Sequence, residues 1–520
     1  MDGGPGRLTV GAAAGLVVLA VVWRAASEGG VGVLGPALAL TVGVGASLMA
    51  ARLGRLAARN GVLEAELALV GRRTGIDPLT GLPDRERMAA ELDRRLAERE
   101  ADEVVGVLFV DLDRLGLVSD SLGHRAGDQV VAVAARRLAG VVRTTDSLGR
   151  FGDDRLVVVS AGLPSRRDLE ILAGRLLEAL RRPTVLADGS AHVVCGTVGI
   201  AQVVGDRPVS AEELMRDAGL ACSRARRDGG DRHAVFEDAD RAEATARLAL
   251  EQELRAALRD DEIRVHYQPI VDAGTGVVDR VEALVRWDHP RRGTVLPSEF
   301  LPVAAESPLI VELGRVVLAE ACRQAVEWSE RFDRPISVAV NVAERQLLDR
   351  GLVEEITRVL ATTGLPARQL ELEVSEDLIL ERLDHSLVVL RQLDLLGVRL
   401  AIDDFGTSRA SLGRLKQLAM VSSLKIDRAL VTDLAGGPGD GQGGDGVDDG
   451  VDRKIAAAVV ALAASVGMAV VAEGVETTAQ ARILRDLGVD HLQGFLFGRP
   501  GPASAVEAAL AGERPHRWSA

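Results

Sequence analysis

The stretch VHYQPIVDAGTGVVDRVEALVRW, residues 265–287, decides the architecture of the C-terminal half. Two β-branched, apolar runs, 265–270 and 281–287, flank the glycine-rich turn Asp272-Ala-Gly-Thr-Gly276. A parallel crossover needs about a dozen residues or more, so this pair must be antiparallel. Six further runs follow at 336–342, 370–375, 398–404, 423–427, 469–473 and 491–497. Amphipathic stretches such as 313–328 and 453–466 separate most of them. Alternating strand and helix predicts a parallel sheet with helical crossovers, and eight strands predict closure. The expected fold class is α/β, a modified TIM-like (β/α)8 barrel.

The ends of these runs carry Gln268, Glu282, Asn341, Glu373, Asp403, Asp404, Lys425, Glu473 and Gln493. Strand ends of such a barrel converge on one mouth, where barrel enzymes place their chemistry. Five carboxylates and an amide carbonyl form a hard oxygen set that suits Mg²⁺ or Mn²⁺ and not a soft thiolate metal. The adjacent Asp403 and Asp404 suit two ions about 3.5–4 Å apart, the geometry of two-metal phosphoester hydrolysis. Lys425 is placed to orient a water or stabilise charge on phosphorus. Any one of these acids taken alone reads better as a helix cap or a solvated loop acid. The set does not, because the rare residues fall on it. Only three lysines stand among 62 basic residues, and there are only two asparagines.

The motifs Glu282-Ala-Leu-Val-Arg286-Trp-Asp-His-Pro290, Tyr267-Gln-Pro-Ile-Val271, Val340-Asn-Val342, Leu370-Glu-Leu-Glu373-Val374, Asp403-Asp-Phe-Gly-Thr407, Leu424-Lys-Ile-Asp427, Ala472-Glu-Gly-Val-Glu476 and Gln493-Gly494 occur in this order. Together they resemble the EAL-domain cyclic di-GMP phosphodiesterases. The resemblance implies hydrolysis of cyclic di-GMP to linear pGpG with two Mg²⁺ or Mn²⁺ ions. It implies that Glu282, Asn341, Glu373 and Asp403 ligate metal, and that Asp404 and Glu473 serve the second ion and its water. Lys425 would contact that water, Arg286 would hold substrate phosphate, and Gln268 and Gln493 would line the substrate site. Glu376 would steady the loop after Asp404. Three departures stand out. Ser408-Arg-Ala410 replaces the family's Gly, Tyr and Ser; Pro308 stands where Gly is common; and residues 436–450, GGPGDGQGGDGVDDG, form an insertion that cannot bury apolar surface.

Residues 75–236 hold a second pattern. Asp77-Pro-Leu-Thr-Gly-Leu-Pro-Asp-Arg85 opens it, a buried strand at 104–110 runs into Asp111-Leu-Asp113, and Gly123-His-Arg-Ala-Gly127-Asp128 follows. This order resembles the GGDEF domain of diguanylate cyclases, which join two GTP molecules. The signature itself is broken. Gly152-Asp153-Asp154-Arg155-Leu156 replaces Gly-Gly-Asp/Glu-Glu-Phe, Ser119 replaces the guanine-reading Asn, and Gly116 replaces Lys. Asp153 sets a negative charge against a triphosphate, and Arg155 puts a cation where an acid belongs. A degenerate cyclase site at Asp111, Asp128, Asp153, Asp154 and Arg155 is expected, with GTP left as an effector. Arg143-Thr-Thr-Asp146 resembles the family's RxxD inhibitory site for cyclic di-GMP.

The chain has 520 residues, 47% of them hydrophobic, and a net charge of −14. This is globular composition, and its acidity excludes a general nucleic-acid binder. Three dispersed cysteines exclude a zinc knuckle and a disulfide framework. Residues 8–23 and 29–51 are apolar runs. The second reaches span length, and the first does so only if Arg24 snorkels. Arg52, Arg55 and Arg59 follow, which places that end in the cytoplasm. A two-span anchor in a bacterial inner membrane, multi-pass with cytoplasmic catalytic domains, is expected; a signal peptide is the alternative. Heptad-spaced Leu53, Leu56, Leu63, Leu67 and Val70 around Asn60 read either as a dimeric coiled coil or as an amphipathic linker. The expected organisation is 1–52 membrane, 53–74 linker, 75–236 degenerate GGDEF domain, 237–248 linker, 249–512 EAL domain and 513–520 tail. The expected partners are cyclic di-GMP, GTP as effector, the membrane and a second copy of the chain as homodimer. Two other functions remain: a non-catalytic cyclic di-GMP receptor and a bifunctional cyclase/phosphodiesterase.

Overall fold

The computed structural model describes residues 75–512 other than 101, 114, 206, 377, 379–382, 406–419, 433 and 435–450. The two apolar N-terminal runs, the 53–74 segment, Ser408-Arg-Ala410, the 436–450 insertion and the 513–520 tail lie outside the described residues. Among the described residues no helix is long and apolar enough to cross a membrane. The chain divides into two compact units, Met1–Ala244 and Thr245–Ala520.

In the first unit, strands β1 (Val104–Leu112), β2 (Ser147–Arg150), β3 (Arg155–Leu163), β6 (Gly196–Val204) and β7 (His233–Val235) form a sheet in the order β2-β3-β1-β6-β7. β4 (Thr184–Val185) and β5 (Ala191–His192) make a separate two-stranded pair. β1 is antiparallel to both β3 and β6, and every one of its residues is buried. Successive side chains of a strand point to opposite faces. Val104, Leu108, Val110 and Leu112 accordingly enter one apolar cluster, and Val105, Val107 and Phe109 the other. Each such side chain stabilises the fold by about 1.5–3 kcal/mol relative to exposure. The helix Ala211–Arg227 packs close on β6 because Gly199 has no side chain. A Cβ there would lie 2.0 Å from the Ala218 carbonyl oxygen.

In the second unit, β8 (Ile263–Asp272), β9 (Val278–His289), β10 (Gly293–Val295), β11 (Ser337–Asn341), β12 (Leu370–Ser375), β13 (Arg399–Phe405), β14 (Ser423–Ile426), β15 (Ala469–Ala472) and β16 (His491–Gln493) form one sheet. The order is β10-β9-β11-β12-β13-β14-β15-β16-β8, and β8 pairs with β9 to close it. β8 is antiparallel to β9, as its short turn requires, and also to β16. The pairs from β9–β11 to β15–β16 are parallel. This is the modified barrel read from the sequence. It differs in detail: β10 folds back on the end of β9, and β16 stops at Gln493, four residues short of the expected 497. The chain turns there because Leu496 N–H donates to Val475 O and Phe497 N–H to Gly494 O.

Candidate active site

Lys425 is the third residue of β14, and its side chain is 1% exposed at the centre of the barrel. Its Nζ lies 2.5 Å from Glu473, 2.8 Å from Glu373, 3.4 Å from Asp403 and 3.7 Å from Glu282. The parallel register explains the convergence. Asn341 stands opposite Glu373, Ser375 opposite Asp403, and Ile426 opposite Ala472, one residue before Glu473. An isolated buried charge is unstable, so ammonium and carboxylates hold one another in place.

Glu282 is anchored from both sides. Asn341 Nδ2 donates to its Oε1 at 2.7 Å, and Gln493 Nε2 donates to its Oε2 at 2.6 Å. Gln493 Nε2 also reaches Gln268 Oε1, and Gln268 Nε2 donates to Gly498 O. The two glutamines, expected from the sequence to line the substrate site, have their amides engaged on each other and on Glu282. Gly494 lets this strand end pack, since a Cβ there would lie 2.1 Å from Val475 O.

The charges are unequal in consequence. Burial raises the Glu282 carboxyl, but Lys425 and the two amides outweigh it and hold it below the usual range. Burial pushes Glu373 well above that range, with Lys425 opposing. Burial also lifts Glu473 to about 7. Lys425 is disfavoured by desolvation, yet Glu282, Glu373, Glu473 and Asp403 keep it firmly protonated.

A cavity of about 540 Å³ opens on this cluster. Asn341, Glu373, Asp403 and Asp404 line it together with apolar Leu284, Val285, Leu313 and Val317. In a regular strand Asp403 and Asp404 would face opposite ways. Here Asp404 is left-handed, φ +57°, and the β13–β14 register shifts between Ile402 and Phe405. A non-glycine residue held in that conformation stores strain, a feature that gathers at functional sites. Asp404 is raised by burial and by its neighbour Asp403. Arg286 Nη1 donates to Val285 O, and burial lowers its guanidinium. Glu376 is buried just beyond β12, while the loop it was expected to steady lies outside the described residues.

The donor set fits hard divalent cations. Four carboxylates gather around Lys425, Asp404 lines the same cavity as Glu373 and Asp403, and buried Glu373 is held there by the Lys425 ammonium at 2.8 Å. Among the described residues no three His, Cys, Asp or Glu side chains are already spaced as a metal cage. The Lys425 ammonium holds the centre instead.

In the first unit, Arg155 stands opposite Asp111 across β3 and β1. Asp111 is 3% exposed. Its Oδ2 receives Arg155 Nε at 3.2 Å and Arg226 Nη1 at 3.1 Å, and Asp154 lies 4.0 Å from Arg155. Burial and Asp154 raise Asp111, against the two arginines. Asp113 is taken up by Thr197 Oγ1 and Asp231 N–H. Asp128 and Asp153 are exposed. The sequence reading did not single out Arg226, which sits near the end of the helix Ala211–Arg227, within a stretch (217–232) that resembles the closing segment of the GGDEF domain but is remote in sequence from Asp111. Asp146 caps its own turn: it accepts Arg143 N–H at 2.9 Å and Ser160 Oγ at 2.6 Å, while Arg143 is exposed.

Residues 74–232 match the family "Diguanylate cyclase, GGDEF domain", and residues 251–500 match "EAL domain". An uncharacterized protein of Mycobacterium bovis, Mb1389c, is 35% identical over 84% of this chain and 68% of its own length. The chain belongs to the family that carries GGDEF and EAL domains in tandem. MucR of Pseudomonas aeruginosa, named a bifunctional diguanylate cyclase/cyclic di-GMP phosphodiesterase, is 36% identical over 88% of this chain and 65% of its own length. The chain thus spans less than two thirds of MucR, and 54% of the length of NbdA of Pseudomonas aeruginosa, named a cyclic di-GMP phosphodiesterase, which is 35% identical over 85% of this chain. Among solved structures, the S helix-GGDEF-EAL portion of Vibrio cholerae LapD, bound to c-di-GMP, superposes at a TM-score of 0.51. It covers 84% of this chain and 99% of that one at 16% identity, a likeness of fold. The GGDEF–EAL order agrees with the two units of the structure.

Proposed function

We propose that the EAL barrel hydrolyses cyclic di-GMP to linear pGpG and that the GGDEF unit regulates it without making cyclic di-GMP. The observation that carries the first part is the buried gathering of Glu282, Glu373, Asp403 and Glu473 around Lys425, with Glu373 and Asp403 lining an open cavity. Glu282, Asn341, Glu373 and Asp403 would hold one Mg²⁺ or Mn²⁺, and Asp404 and Glu473 a second. Such ions supply a nucleophilic water and neutralise phosphate charge. Gln493 and Asn341 keep Glu282 ionised and oriented, and Lys425 supplies a fixed positive charge beside the reacting phosphate. The apolar wall of Leu284, Val285 and Leu313 suits the faces of purine bases.

The second part rests on Arg155 and Arg226. Their guanidiniums already neutralise Asp111, the acid a metal–triphosphate would need. We read the N-terminal apolar runs as a two-span anchor in the inner membrane and the heptad segment as a dimerising stalk. GTP remains an effector candidate for the GGDEF unit.

The test incubates the full chain with cyclic di-GMP and Mn²⁺ and resolves the products by chromatography. Formation of pGpG, abolished in Glu282→Ala, supports hydrolysis. Substrate that binds yet stays intact makes the barrel a receptor.

A further inference from the structure

We propose that the barrel carries a second binding site, for a phosphate dianion, at the end opposite the catalytic mouth. A cavity of about 470 Å³ lies there, lined by Asp279, Arg334, Pro335, Ser337, Arg368, Gln369 and Arg399. These residues belong to the starts of β9, β11, β12 and β13 and to the segments leading into them, four neighbouring strands of one sheet. Three guanidiniums thus face one carboxylate.

The arginines are only partly offset from within: Asp279 acts on Arg334 and Arg399, and Glu371 on Arg399. The buried Glu371 beneath them is taken by Arg280, whose Nη1 reaches both its oxygens at 2.7 and 3.0 Å. Arg399 makes one hydrogen bond, Nη2 to Ser337 Oγ at 2.6 Å, and its buried Nε has no partner. Arg334 donates Nη2 to two carbonyls, Val278 O and Leu510 O, neither of them charged. Arg368 is exposed at the rim, and its neighbour Gln369 is fixed by Nε2 bonds to Ser329 Oγ and Ile336 O. Burial disfavours the charged form of both Arg334 and Arg399, and Arg280 adds to the effect at Arg399. A bound dianion relieves that repulsion, and guanidinium forks match phosphate oxygens. Asp279 offsets part of the charge on Arg334 and Arg399, and its Oδ1 lies 4.0 Å from His491 Nε2, so the three guanidiniums leave a net positive charge that suits a single phosphate group. That group is supplied either as free phosphate or as the terminal phosphate of a mononucleotide.

The experiment titrates metal-stripped full-length protein with inorganic phosphate, and separately with GMP, at constant ionic strength by calorimetry. Without a cation the acidic mouth repels both probes. Saturable one-to-one binding is expected, weakened about tenfold by Arg368→Gln and also by Arg399→Lys, roughly the loss of one charge-assisted contact. Arg368 is exposed, so Arg368→Gln should leave the melting temperature without phosphate unchanged. Loss of phosphate binding alone identifies free phosphate as the ligand, and loss of GMP binding a nucleotide-borne one. Wild-type affinity for both probes in both variants, or no saturable binding of either probe, overturns the proposal.

Discussion

Lys425 Nζ lies 2.8 Å from Glu373 Oε2, and each side chain is 1% exposed. The pair is the hub of the barrel, because three more carboxylates reach the same ammonium. Removing one partner of a buried ion pair leaves an uncompensated charge, a loss of about 3–5 kcal/mol. Lys425→Met should lower metal-free stability by that amount and abolish hydrolysis. Urea unfolding followed by circular dichroism measures it, and a loss below about 1 kcal/mol would show that the acids neutralise one another by sharing protons.

Divalent cations should stabilise the folded chain through the same acids. At a concentration 100 times the dissociation constant the gain is about 2.7 kcal/mol. Mn²⁺ is expected to raise the melting temperature of the wild type, and Glu373→Gln to remove most of the rise. An equal rise in the variant would place the ion elsewhere.

Arg155 should behave as a built-in cation of the GGDEF unit. Its side chain is 41% exposed, so its bond to Asp111 is worth only about 1 kcal/mol after screening. Arg155→Ala in a Glu373→Gln background is expected to lose that much stability and to gain Mn²⁺ binding at Asp111 and Asp154. Calorimetry that finds no new site would show that Arg226 suffices to fill it.

Glu91 gives a pH signature to the same unit. The hydrogen bond from Arg94 lowers its carboxyl to about 2, aided by Arg95. A depressed carboxyl contributes stability that is complete above its unfolded value of 4.5 and is lost as pH falls through 2. Glu91→Gln should therefore destabilise at pH 7, by less than about 1 kcal/mol because the cluster is partly exposed. The difference from wild type should shrink between pH 4.5 and 2. A constant difference across that window would assign the effect to packing.

The Arg280–Glu371 pair closes the far end of the barrel at 6% and 2% side-chain exposure. Glu371→Leu alone should cost about 3–5 kcal/mol, whereas Arg280→Met with Glu371→Leu should come within about 1 kcal/mol of wild type. A double-mutant cycle in guanidinium chloride reads the coupling. A double-variant loss equal to the sum of the losses in Arg280→Met and Glu371→Leu would show that the ions act independently.

The sequence by itself determined the barrel, its antiparallel first pair and the acids of its mouth. Period, turn length and residue type are local properties. The glycine-rich turn at 272–276 left β8 and β9 no other pairing, and the runs that carry Glu373, Asp403 and Glu473 to their ends follow from apolar periodicity, whereas Glu282 lies within β9. Arg155 was legible too, as a cation in an acid's place. Only the tertiary structure decided what these groups touch. It brought Arg226 onto Asp111 from 115 residues away, and Gln493 onto Glu282 from 211. It put Asp404 in a left-handed turn that aims two adjacent acids at one cavity, and it gathered Arg334, Arg368 and Arg399 from separate segments at the closed end. The physical reason is that register and crossover geometry fix distances between residues remote in the chain. Burial and long-range charge compensation, which together set the protonation of Glu373, Glu473 and Lys425, both depend on that tertiary arrangement.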